Sequence, residues 1–408
     1  MVGFNKNKII NDPVYGFLTI PSALVFDIIQ HPYFQRLRRI RQLGLTELVY
    51  PGATHTRFHH ALGALNLMVR AIDVLKSKGV EITEAEAEAA YLAILLHDVG
   101  HGPFSHTLEH TLIKGVNHEK ISGWMMQKLN RETGGKLDLA IEIFNGTYLQ
   151  KPFLGQLISG ELDMDRLDYL LRDSFYTGVS EGVVGAERII HMLNVQDGNL
   201  VVEEKGIYSV EKFLIARRLM YWQVYLHKTA VAADELLLSI LKRARVLAAD
   251  GHHLGSYHPL VHFLGNEIGE KDFDDEALDL YAELDDNDIM NALKTWKCHE
   301  DVVLSKLSQC MLERRLPKIF IKSTPFSEDE ITEQETIAKD RFDIADEGLA
   351  SYFVRTGILE NHTYKSESGG IWILRKNGSV QDVTEASDNY NLAALKETVT
   401  KYYLTYWK

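Results

Sequence analysis

Cysteine is almost absent. Only Cys298 and Cys310 occur in 408 residues, and no Cys-x-x-Cys pair exists, which excludes a disulfide framework and a thiolate zinc site. No apolar run reaches the ~20 residues of a membrane span. The first ten residues carry lysines but no continuous apolar core of a secretory signal, so the chain reads as soluble and cytoplasmic. Basic charge is also short. A formal net charge of −13 argues against extended nucleic-acid binding, which needs a dense basic footprint, and leaves only a local basic pocket for a small polyanion. Internal repeats and low-complexity segments are missing. The rest of the composition, 45% hydrophobic and 25% charged, is that of an ordinary globular protein. Its length suffices for one large domain and a smaller one, or for two to three domains.

Histidine, by contrast, is concentrated. Of 17 histidines, His55, His59, His60, His97, His101, His106, His110 and His118 fall in one stretch. At its centre the apolar run Leu92 to Leu96 ends in His97-Asp98-Val99-Gly100-His101-Gly102-Pro103-Phe104-Ser105-His106. Apolar residues anchor such a helix in the core, while glycine and proline end it and allow close backbone approach to a ligand. A buried metal or phosphate site is expected there.

Periodicity predicts a mainly α chain. Helices are expected from Ser22 toward Gln30, over Pro32 to Gly44 as one apolar stripe flanked by arginines, from the Thr54–His60 segment to about Lys78, and from Thr83 to Asp98 behind a capping box with Glu86. Others follow at about 118–130, 136–145, 163–174, 184–193, 210–228 and 230–249, with a small hairpin around Asp197-Gly198. Residues 251–312 read as a helical extension. Strand-like Lys318 to Ile321 and Ile371 to Leu374, with a hairpin signal at Asn377-Gly378, predict a small α+β domain over 313–408. The acidic stretch Ser327 to Glu335 reads as a helix start or solvated loop.

His60, His97, Asp98 and Asp165 offer imidazole and carboxylate ligands suited to Mn, Fe, Zn or Mg. Spacing alone proves nothing, and any one of these histidines taken singly is more often structural than a ligand. The combination resembles the H…HD…D signature of HD-domain metal-dependent phosphohydrolases. Gln42-Leu43-Gly44, Pro51-Gly52-Ala53-Thr54-His55-Thr56-Arg57-Phe58-His59-His60, the His97 to His106 run and Asp163-Met164-Asp165-Arg166-Leu167-Asp168-Tyr169 resemble its dNTP triphosphohydrolase branch, including the animal sterile-alpha-motif/HD-domain members. The likeness covers about residues 11–250 and returns at Glu313 to Lys318.

That resemblance implies an HD-domain helical bundle over 1–250, with His60, His97, Asp98 and Asp165 binding a divalent metal whose water attacks the α-phosphorus of a nucleoside triphosphate. Magnesium would accompany the phosphates. His118 matches the general acid, Glu109 the acidic residue that orients it, and His101 and His106 the phosphate- and sugar-facing histidines. Arg57, Arg166 and Arg217 match the triphosphate clamp, Tyr169 the residue at the sugar edge, Asp173 and Gln42 the 3′ side, and Tyr225 the aromatic near the base. Tyr221 and Leu226 replace the family's polar pair there. Gln35 and Arg38 match an activating nucleotide site in which Gln30 replaces the guanine-reading aspartate. A homo-oligomer is also implied. The alternatives are another HD-type phosphohydrolase or phosphodiesterase, or a nucleotide-sensing regulator.

Overall fold

The computed structural model describes residues 8–104, 107–361, 364, 369–388 and 398–408. The chain begins with an antiparallel hairpin of β1 (Ile9–Asp12) and β2 (Gly16–Thr19). Helix α1 (Ala23–Gln30) starts where Ser22 accepts a hydrogen bond from the Val25 amide, as N-caps do.

The helix expected over Pro32 to Gly44 is different in kind. Only α2 (Pro32–Gln35) is α-helical, and Arg36–Arg39 and Gly44–Leu48 are 3-10 turns. The three-residue spacing of Phe34, Leu37 and Ile40, all fully buried, is the 3-10 period itself. The segment's arginines divide: Arg38 and Arg39 are exposed, and Arg36 is buried. Arg36 is 1% exposed and donates to the Val99 and Leu284 carbonyls at 2.9 and 3.3 Å, and Arg38 lies 3.6 Å from the Phe58 ring.

Two helices form the centre of the core. In α3 (Arg57–Ser77) and α4 (Glu84–Leu96), Ala61, Ala64, Leu67, Met68, Ala90, Ala93, Ile94, Leu95 and Leu96 are fully buried. Their alanines permit close helix approach, and the packed area supplies most of the stability. The Thr83/Glu86 capping box fixes the start of α4: Thr83 Oγ1 accepts from the Glu86 amide at 3.2 Å, and Glu86 Oε2 accepts from the Thr83 amide at 2.8 Å.

Next come α5 (Glu109–Leu112), α6 (His118–Glu132), α7 (Asp138–Phe144), α8 (Pro152–Gln156), α9 (Met164–Thr177) and α10 (Ala186–Met192). The expected hairpin pairs β3 (Leu193–Gln196) with β4 (Asn199–Glu203). Asp197 and Gly198 both adopt positive φ, 52° and 77°, which a two-residue type I′ turn requires. Helix α11 (Ile207–Met220) then widens into a π turn over Tyr221–Tyr225 before α12 (Lys228–Ala249). The predicted single helix to 228 is therefore interrupted. Helices α13 (His258–Gly265), α14 (Asp275–Glu283), α15 (Asp286–Trp296) and α16 (Val302–Leu312) fill the predicted helical extension.

The last part is α+β, as expected. Strands β5 (Lys318–Lys322), β6 (Thr356–Asn361) and β9 (Val399–Tyr406) form an antiparallel sheet in the order β5-β9-β6. The acidic stretch opens α17 (Glu328–Phe342), capped by Ser327. Strands β7 (Trp372–Leu374) and β8 (Val380–Asp382) extend the earlier hairpin into the sheet β3-β4-β7-β8, with β7 parallel to β4. The proposed units 1–250 and 313–408 thus share one sheet. Among the described residues, no helix is long and apolar enough to cross a membrane.

Candidate metal and substrate site

Each expected metal ligand sits at a helix end or on a helix packed in the core. His60 projects from the first turn of α3, His97 caps α4, Asp98 follows it, and Asp165 lies in the first turn of α9. Asp163 fixes that last position by accepting from the Arg166 amide at 2.7 Å.

His60 Nδ1 lies 2.8 Å from Asp168 Oδ2, and His97 Nδ1 2.6 Å from the Ile94 carbonyl. A carboxylate and a carbonyl can only accept, so both Nδ1 atoms carry the proton and both Nε2 atoms present a lone pair. Those two Nε2 atoms are buried and have no hydrogen-bond partner among the described residues. They lie 3.1 and 3.6 Å from Asp165 Oδ1, and the ligand atoms of His60, His97 and Asp165 are all within 4.8 Å of one another. Asp98 approaches through Oδ1, 3.4 Å from His97 Nε2, while Oδ2 accepts from Arg57.

The electrostatics agree with a cation site. Burial alone would disfavour charge on His60, yet the Asp165 and Asp168 carboxylates outweigh it and push its pKa up to about 10. Burial likewise works against ionised Asp165, and the two imidazoles overcome it and hold its pKa well below the usual carboxylate value. A field that favours an added proton on Nε2 favours a metal ion in the same place. Two imidazoles and one or two carboxylates suit a borderline divalent ion rather than a thiophilic one, so these residues fit the group the signature implies. Asp168 is in turn held by Arg172 through Nε at 2.9 Å and Nη2 at 3.0 Å, and Arg172 Nη1 donates to Asp12 at 2.8 Å. Asp168 and Arg172 therefore serve the metal site from behind, although their i+3 and i+7 spacing from Asp165 puts them on the same helical face.

Beside this group, His101 Nε2 lies 3.3 Å from Asp98 Oδ1, and its ring stacks on His118 with centroids 3.7 Å apart. Burial and the nearby Arg57 push the His101 pKa well down, so its ring is neutral at ordinary pH. Two cavities meet over Asp98, His118 and Asp165. One, of about 410 Å³, runs along Asn117, Lys120 and Phe144. The other, of about 300 Å³, is lined by Gln42, Arg57, Tyr169, Asp173, Tyr221 and Tyr225. Gln42 presents a buried Oε1 with no hydrogen-bond partner among the described residues. Tyr225 donates to Asp173 Oδ2 at 2.8 Å and meets Tyr169 and Tyr221 edge-on. The π turn gives Tyr221 and Tyr225 this placement, as such widened turns often do at sites.

Two expected clamp arginines lie beside the site but are held in ion pairs. Arg217 Nη1 donates to Glu161 Oε2 at 2.8 Å, and Arg166 is bound to Asp163 and to the Gly160 carbonyl. Neither lines the two cavities. His106 and the side chain of Glu109 lie outside the described residues. The glycines of the turn also serve differently from expectation. A Cβ on Gly100 would meet the Ser122 amide nitrogen at 2.2 Å, and one on Gly102 the Tyr281 hydroxyl at 2.5 Å, so they admit neighbouring protein rather than a ligand. Phe104, with φ of 48°, completes the turn in a conformation rare for a bulky residue. Asp286 holds it there, accepting from the Phe104 amide at 2.8 Å and the Arg41 amide at 2.9 Å.

Comparison with known proteins agrees with this geometry. The HD domain model matches residues 57–172 and the HD associated region 184–251. A phosphohydrolase of Bacteroides thetaiotaomicron superposes with a TM-score of 0.95 at 52% identity, over 99% of this chain and 100% of that one. The chain belongs to the HD-domain phosphohydrolase superfamily. Protein YwfO of Bacillus subtilis is 35% identical over 76% of this chain and 71% of its own length. A deoxynucleoside triphosphate triphosphohydrolase SAMHD1 homolog of Dictyostelium discoideum is 31% identical over 59% of this chain, which spans 50% of that relative.

Proposed function

We propose that this HD-domain hydrolase is a metal-dependent deoxynucleoside triphosphate triphosphohydrolase, cleaving at the α-phosphorus to give deoxynucleoside and triphosphate. The observation that carries the reading is the 300 Å³ cavity, in which Arg57, Tyr169, Asp173 and Tyr225 converge beside Asp98, Asp165 and His118. The activity named for the Dictyostelium relative points the same way. A divalent ion at His60, His97, Asp98 and Asp165 would supply Lewis acidity toward phosphate oxygens and lower the pKa of water.

Arg57 places guanidinium charge against the phosphates while its Nη1 holds Asp98. His118 protonates the departing 5′ oxygen, and the neutral His101 ring stacked on it fixes its plane. Tyr169, edge-on to Tyr225, borders the sugar, and Asp173 and Gln42 face its 3′ side. We keep with this reading magnesium on the substrate phosphates, a homo-oligomeric state and a cytoplasmic location. A second reading, hydrolysis of a different nucleotide or phosphate ester, is favoured by one observation: Arg166 and Arg217 are tied to Asp163 and Glu161. Incubating metal-loaded protein with each dNTP and NTP, and separating the products by chromatography, decides between them. Deoxynucleoside with triphosphate is the expected result, and orthophosphate or pyrophosphate overturns it.

A further inference from the structure

A cavity of about 330 Å³, sharing no lining residue with the two described above, opens between α12, the loop before α14, and the segment that follows α5. Four cations line it: Lys114, Lys242, Arg245 and Arg355. They converge although the chain as a whole carries a net charge of −13. Leu238, Lys242 and Arg245 fall at i, i+4 and i+7 of α12 and so share one face, and Leu238 and Ile268 add an apolar wall.

The cations are only partly compensated. Glu267 pairs with Lys114, and Arg355 donates through Nε to Glu235 at 2.9 Å. Arg245 donates to the Thr111 and Asn266 carbonyls and feels the Glu267 carboxylate, with no ion pair to it within 4 Å among the described residues. Lys242 has no hydrogen-bond partner among the described residues, and the Tyr352 ring lies 5.8 Å from its Nζ. Partial burial lowers the Arg245 pKa, a cost that a bound anion would offset. Guanidinium forks and ammonium groups converging on one cavity recognise phosphate oxygens.

We infer that this cavity binds a di- or triphosphate group, either free or carried on a small organic body that packs on Leu238 and Ile268. Its wall at Thr111 and Lys114 belongs to the backbone that joins His101 to His118, with Lys114 N–H donating to the Ile268 carbonyl at 2.9 Å. The inference does not depend on the reaction proposed above.

Calorimetric titration of the metal-loaded protein at low ionic strength, with inorganic triphosphate and with ADP as probes, tests it. Two binding events per chain are expected. Arg57→Gln should remove the event at the catalytic cavity, and Lys242→Gln should weaken the other about ten-fold, as loss of one charge-assisted bond does. Lys242 is exposed and makes no hydrogen bond among the described residues, and Lys114→Gln provides a second variant with the same expected loss. Tighter binding of ADP than of inorganic triphosphate at this event assigns the organic body, and the reverse assigns the free anion. Hydrogen exchange should show protection of amides 107–114 on binding in wild type and in Arg57→Gln. A Lys242→Gln protein that binds both probes as wild type does, or binding without protection at 107–114, overturns the site.

Discussion

His55 Nε2 lies 2.7 Å from Asp173 Oδ1. Both groups are buried, the His55 ring stacks on Tyr176 with centroids 4.4 Å apart, and the other Asp173 oxygen accepts from Tyr225. The Asp173 carboxylate, which lines the 300 Å³ cavity, is thus fixed from two sides, by a residue of the loop before α3 and by the π turn. His55→Ala leaves Asp173 with one partner and freedom to swing. A lost bond to a buried charge is worth about 1.5–3 kcal/mol, so kcat/KM should fall about ten-fold or more, mainly through KM. His55→Gln, which can still donate, should recover part of it. Steady-state kinetics of the two variants with one deoxynucleotide, alongside wild type, check this. Equal losses in both, or a change confined to kcat, would contradict a positioning role.

Metal retention should depend on Asp168 nearly as much as on the ligands. Asp168→Asn removes the charge and turns one of the two acceptor oxygens, shared by His60 and Arg172, into a donor, which weakens the hold on the His60 Nδ1 proton, and outer partners of this kind typically carry 10–100-fold in metal affinity. The metal content of purified protein, measured by plasma mass spectrometry against a chelator series, should drop accordingly. Asp165→Ala should lose both metal and turnover, whereas His118→Ala should keep the metal and lose rate. Normal turnover in His118→Ala would remove it from the acid role.

Much of this site was legible beforehand because short-range chemistry wrote it. His97 and Asp98 close a helix at a glycine turn, and His60 and Asp165 stand in strong local sequence contexts, so their residue types stood out. What could not be read were partners defined by long-range packing. Asp168 and Arg172 look like two more members of the Asp165 face until α3 crosses α9 and takes them for His60. Asp286, far along the chain, holds the Phe104 turn, and no local signal marks it. The 3-10 turn at Arg36–Arg39 was misread because a three-residue apolar interval fits a helix stripe almost as well. Strands β6 and β9 carry no such local signal, because β9 pairs with β5 and with β6 across about forty to ninety residues of sequence, where local propensity has little to say.

Glu161 holds Arg217 in an ion pair beside Tyr169 and Tyr221 of the cavity wall, with both side chains about one-tenth exposed. If Arg217 clamps phosphate, it must exchange this carboxylate for the substrate. Glu161→Gln should then lower KM for a nucleoside triphosphate several-fold, because the neutral amide competes less for the guanidinium. Arg217→Gln should raise KM in the same assay. A rise in KM for Glu161→Gln would show instead that the pair orients Arg217 for substrate.

The fold's acid sensitivity should show at the start of α4. Burial by itself would raise the Glu86 pKa, but Lys151, the Thr83 amide, Tyr148 and the Thr83 hydroxyl all bind the ionised form and bring it down to about 2. In the unfolded chain the same group titrates near the ordinary value of 4.5. A depressed folded-state pKa stabilises the protein fully above the unfolded value, and that contribution is lost as pH falls from about 4.5 to about 2. The difference of roughly 2.5 units corresponds to at most ~3 kcal/mol. Glu86→Gln should therefore lower Tm at pH 7 and show a shallower loss of stability between pH 5 and pH 3 than wild type. Thermal unfolding followed by circular dichroism across that range measures both, and parallel pH profiles would place the acid-labile group elsewhere.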